Sequence, residues 1–238
     1  MAVGGDETAA RGAGSAAQGF MALPGHTEDG RQLFLKCLAD VVRVLGLDVA
    51  PVSAAGDERQ WGHQVRHALR RACRRELVLS EASFGVLMKA AVHDPDPSFT
   101  RQFVEPALNA FGYRRVRSAL LDHLRTGTNQ ERAGAARAWY WSALPLRLSE
   151  VRAADSDIES QAAADDRSAL VGEWYEAALR EFVNNAHLEV RRSILPGLPL
   201  RKSAYPPELH DLVEAAATIA RSHPDEYIRH RVEHQVRG

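Results

Sequence analysis

From residue 28 onward the apolar positions of this chain recur at intervals of three and four, the period of one helical face. In "TEDGRQLFLKCLADVVRVLGL", Leu33, Cys37, Val41, Val44 and Leu45 share a face, and the opening acids suit the positive end of a helix dipole. Residues 48–58, "DVAPVSAAGDE", read as a loop. In "RQWGHQVRHALRRACRRELVL" an apolar stripe runs through Trp61, Val65, Leu69, Ala72 and Cys73. Arg66, Arg70 and Arg74 stand on another face at i, i+4 and i+8, widened by His63, His67, Arg71 and Arg75. That is an amphipathic helix, over about 59–75, with a dense basic side. The chain has neither alternating β-branched runs nor an Asn-Gly hairpin signal, so strands are not expected.

From residue 81 the pattern repeats. Four helix pairs can be written, each with an apolar, Ala-rich first helix, a short polar turn, and a second helix entered through an arginine. The turns are "HDPDPSFTR", "RTGTNQER", "NNAHLEVR" and "SHPDEYIR", which put Arg101, Arg132, Arg191 and Arg229 in register. Val104, Ala135, Ile194 and Val232 follow three residues later, and Leu108, Trp139, Leu198 and Val236 seven residues later. Positions +3 and +7 lie on one helical face, so a shared core stripe is predicted. The arginines are 31, 59 and 38 residues apart, and the long middle spacing needs an insertion. Residues 145–168, with six acids, fit a long acidic loop that can hold a frayed helix.

These turns, "DPDPSFTR" and "NAHLEVR" above all, resemble the turn of HEAT repeats, in which an Asp or a Pro-containing stretch precedes the arginine by some six residues. Asn185 holds the Asp-like place in the third unit, whereas Thr126 and His223 depart from it. The resemblance covers about residues 81–237. It implies an all-α, HEAT-like α-solenoid of about five helix pairs, in which each pair packs on its neighbours. The domain would run over 27–238. Residues 27–80 form a divergent N-terminal pair, 81–144 two repeats, 145–168 the acidic insertion and 169–238 two more repeats. Residues 1–26, rich in Gly, Ala and Ser, are expected to be a disordered tail. HEAT-type proteins are mostly scaffolds and binding platforms; a few bind nucleic acid, and one group of bacterial DNA glycosylases is built this way.

Composition narrows the function classes. The net charge is -1, so there is no global basic field to attract nucleic acid. No apolar run is long enough to span a bilayer, and the N-terminus has early acids in place of a secretory h-region. The two cysteines, Cys37 and Cys73, lack redox or zinc spacing and read as small core hydrophobes. A reducing, cytoplasmic setting is expected.

One pentad looks like chemistry. His230-Arg231-Val232-Glu233-His234 fits the H-x-x-E-H pattern of some zinc peptidases. Aligned on the repeats, however, both histidines fall off the core stripe, opposite Val232 and Val236. The pentad reads as the outer face of a terminal helix, and neither a metal nor a cofactor is expected. The cluster "AWYWSALP" is a better binding candidate. Trp139 belongs to the stripe, so Tyr140 and Trp141 point elsewhere, as interface anchors or as packing under the insertion against Trp174 and Tyr175. The candidate binding residues are therefore Arg66, Arg70, Arg74, Arg137, Tyr140 and Trp141. The expected role is non-catalytic: a scaffold or protein-binding module. The alternative is a nucleic-acid-binding solenoid, or a base-excision enzyme of the same architecture. It would require Arg66, Arg70 and Arg74 to join Arg132 and Arg137 in one groove.

Overall fold

The computed structural model describes residues 28–51, 57–74, 78–143 and 161–237, with backbone alone for 161–166. The expected N-terminal tail and residues 145–160 of the acidic insertion lie outside these. Among the described residues there are ten α-helices and no strand. They are α1 (Glu28–Leu45), α2 (Glu58–Arg74), α3 (Glu81–His93), α4 (Arg101–Phe111), α5 (Tyr113–Thr126), α6 (Asn129–Ser142), α7 (Gln161–Asn184), α8 (Leu188–Ile194), α9 (His210–Arg221) and α10 (Glu226–Arg237). Single 3-10 turns at Leu195–Gly197, Lys202–Ala204 and Pro207–Leu209 link α8 to α9.

All four turns fall where the spacing put them. Each separates two antiparallel helices that pack on each other: α3 on α4, α5 on α6, α7 on α8 and α9 on α10. Contacts also run in sequence between first helices, α1 to α3, α3 to α5, α5 to α7 and α7 to α9. The second helices touch in the same order, α2, α4, α6, α8 and α10. The predicted stripe lies at the centre: Val104, Ala135, Ile194 and Val232 are buried, as are Leu108, Trp139 and Leu198. Val236, in the last turn of the last helix, is only partly covered.

Two details sharpen or differ from the expectation. Helix α7 begins at Gln161, so the last eight residues of the acidic insertion 145–168 are helical. Three consecutive alanines after Gln161 favour the helix and outweigh the two acids that follow. Helix α8 stops at Ile194, because Pro196 brings no N–H and its ring crowds the preceding turn. Leu198 still reaches the core, after a 3-10 turn.

The turn residues have identifiable work. Asp94, Asn185 and His223 each accept a hydrogen bond from the backbone N–H two residues on, at 3.0, 2.8 and 3.0 Å. His223 thus does with Nδ1 what the others do with oxygen. The second turn uses a capping box instead: Thr128 N donates to Glu131, and Glu131 N to Thr128 Oγ1. Three of the four registered arginines reach back to carbonyls at, or just beyond, the end of the first helix. Arg191 donates to the carbonyls of Phe182 and Val183, Arg229 to those of His223 and Pro224, and Arg132 to that of Arg125. Carbonyls at a helix C-terminus lack intrahelical donors, and a cation there also suits the dipole. Arg101 departs from this and pairs with Glu105 one turn along.

Candidate functional site

The turn between α3 and α4 is gripped from two sides. From α2, Arg66 Nη2 donates to both carboxylate oxygens of Asp94, at 2.7 and 2.8 Å. Its guanidinium also lies over the rings of Phe34, Phe99 and Phe103, 5.1, 4.8 and 5.9 Å from their centroids. From α6, Trp141 Nε1 donates to Pro97 O at 2.7 Å, and Arg137 approaches Asp94 O at 3.4 Å. Asp94 is fully buried (0 % exposed). Burial pushes its carboxyl above the ordinary carboxylate range, while Arg66 and the Asp96 N–H pull it back.

The six candidate residues therefore separate. Arg66 is buried and bound to Asp94, away from solvent. It sits at the edge of the α2 stripe, beside Val65 and Leu69, and its carboxylate partner is 28 residues distant in sequence. Arg137 is held by Glu189 at 3.1 Å and Ser193 at 3.3 Å, both on α8. Arg132, which a nucleic-acid groove would also need, pairs with Glu181 at 2.8 Å. Arg70 and Arg74 remain exposed, alongside His63, His67 and Arg71. Trp141 is half-buried by its bond to Pro97. Tyr140 is the exposed member (47 %), with its ring edge-on to Trp141 at 5.8 Å. Trp139 stacks flat on Trp174, with centroids 4.0 Å apart and planes within 4°. An open cleft of about 420 Å³ runs along α2, lined by Asp48, Gln60, His63, Gln64, His67 and Arg71 among others.

One residue that the sequence reading passed over stands out. Arg117, in the second turn of α5, is 2 % exposed. Its guanidinium lies between the rings of Tyr113 and Trp139, 4.1 Å from each centroid. Its Nε donates to Ser142 Oγ at 3.0 Å, and that hydroxyl donates to Trp139 O at 2.7 Å. No carboxylate among the described residues pairs with it. Burial draws the guanidinium down to about 10. The readable signal was its position: Arg117 occupies the α5 stripe with Leu120, Leu121 and Leu124, all buried.

The pentad carries no cluster. His230 and His234 are exposed with rings 5.4 Å apart, and no group of three metal-capable side chains occurs among the described residues. Cys37 and Cys73 are free thiols that burial pushes up, consistent with packing roles. No described helix is long and apolar enough to cross a membrane. No family model, curated protein or solved structure matches the chain.

Proposed function

We propose that the chain is a HEAT-like α-solenoid of about five helix pairs acting as a non-catalytic scaffold in the cytoplasm, with another protein as its partner. The ordered contacts among first helices and among second helices support the architecture. The observation that carries the functional reading is how the arginines are used. Arg66, Arg132 and Arg137, which a phosphate-binding track would need, are engaged by Asp94, Glu181 and Glu189. What the surface offers instead is an aromatic anchor, Tyr140, backed by a fixed Trp141, and the cationic edge Arg70, Arg71 and Arg74. Tyrosine and arginine at a rigid surface are favoured anchors of protein interfaces.

The base-excision alternative would need a reachable acid beside aromatics. Asp94 is the buried acid of this region, but both its oxygens are held by Arg66 and no part of it is exposed. Fluorescence anisotropy with labelled duplex and single-stranded DNA at 50 and 200 mM salt tests the reading. The scaffold role predicts weak binding without sequence preference; tight binding that falls steeply with salt would favour the nucleic-acid alternative.

A further inference from the structure

We infer that Arg117 anchors a binding site for an oxyanion, the carboxylate or phosphate group of a small ligand, where α5, α6 and α7 meet. This is independent of the scaffold role.

The other fully buried arginine, and several half-buried ones, are matched in charge or hydrogen bonding. Arg66 has Asp94, Arg192 has Asp225 at 3.3 Å, Arg137 has Glu189, and Arg191 has two backbone carbonyls. Arg117 is as deeply buried as any of them, yet its one hydrogen bond is to a neutral hydroxyl. An uncompensated buried charge is costly, and folds ordinarily provide it with a counter-charge. Among the described residues the surroundings add none. The groups that Arg117 feels electrostatically are Tyr113, Tyr175 and a second cation, Arg167, which lies over Tyr113 at 5.1 Å.

The geometry specifies what would fit. Tyr113 and Trp139 each hold their ring 4.1 Å from the guanidinium carbon, and Nε is engaged by Ser142. What remains is the fork of two Nη groups, the edge that takes a planar carboxylate or two phosphate oxygens in a bidentate pair. The cage is rigid, because Trp139 is itself stacked on Trp174. A fixed, dehydrated cation whose Nη groups have no hydrogen-bond partner among the described residues is a preorganised anion receptor.

The test uses the full chain. Its melting temperature is followed through titrations of inorganic phosphate and of succinate, with chloride at matched ionic strength as control, for the native chain and for Arg117→Met and Arg117→Lys. The expected result is a saturable rise with one or both oxyanions and none with chloride. Arg117→Met abolishes the rise, and Arg117→Lys, which keeps the charge but not the fork, weakens binding at least tenfold. A response to phosphate alone identifies a phosphate ligand; a response to succinate alone identifies a carboxylate. No saturable rise with either anion, or a rise that survives Arg117→Met, overturns the site. Should both variants fail to fold, the arginine Nε–Hε resonances of the native chain decide it. One side-chain signal moving saturably with the anion supports the site, and none moving overturns it.

Discussion

Arg66 on α2 and Asp94 in the turn after α3 form a buried ion pair in which one nitrogen bridges both carboxylate oxygens, at 2.7 and 2.8 Å. This pair ties α2 to the turn between α3 and α4. Breaking such a pair from one side leaves a buried charge without a partner, which costs roughly 3–5 kcal/mol. Asp94→Ala should therefore lower unfolding stability by about that much in urea titrations. The double variant Arg66→Met/Asp94→Leu should lose clearly less than the sum of its single changes, since it strands neither charge.

Gly134 shows where α3 and α6 come closest. A β-carbon built there would stand 1.7 Å from Val92 O, which is backbone and cannot yield. Gly134→Ala should destabilise the fold by about 1–3 kcal/mol or more through overpacking, despite the better helix propensity of alanine. Gly85, whose β-carbon would meet nothing within 4 Å, is the control, and Gly85→Ala should be neutral or mildly stabilising.

The Trp139–Trp174 stack joins α6 to α7. Both rings are buried, so Trp174→Ala should cost about 3–5 kcal/mol and leave Trp139 wet on one face. Near-ultraviolet circular dichroism should lose most of its tryptophan signal while the far-ultraviolet helix signal persists.

Acid should weaken the fold in two stages. His93 and His223 are both drawn below the ordinary histidine value of 6.5, with burial as the largest cause. Around His93 the neighbouring charges are Glu131, which opposes the shift, and His123 and Lys89, which add to it. Around His223 Asp225 opposes the shift, and Arg191 and Arg229 reinforce it. The unfolded chain takes up these protons first, so this stability is present above about 6.5 and is lost as pH falls through the folded values. Glu131 is lowered from 4.5, chiefly by the Thr128 N–H, and its share is lost at lower pH still. Urea midpoints between pH 8 and 4 should decline first near the histidine range; a midpoint constant down to pH 5 would contradict this.

Much of the helical plan was legible because it rests on local period. The four turns, the +3 stripe and the terminal-helix reading of His230 and His234 follow from spacing alone. The partnering of charge was not legible. Arg66 and Arg70 look alike on a helical wheel, and one is buried on Asp94 while the other faces solvent. That difference is decided by a carboxylate 28 residues away, which no local pattern carries. Arg117 was missed for a related reason. In the run Tyr113-Arg114-Arg115-Val116-Arg117 nothing in the residue type sets Arg117 apart; only its place on the leucine stripe marks it as inward.

The central claim is that this chain presents a surface to another protein, with Tyr140 as an anchor. The most direct measurement places a photo-crosslinking amino acid at position 140, and as a control at position 180 on the exposed side of α7. Both chains are irradiated in native-host cells and their adducts are identified by mass spectrometry. The account predicts one discrete protein adduct from position 140 and none from position 180. Nucleic acid as the adduct, or no adduct from position 140, would contradict it.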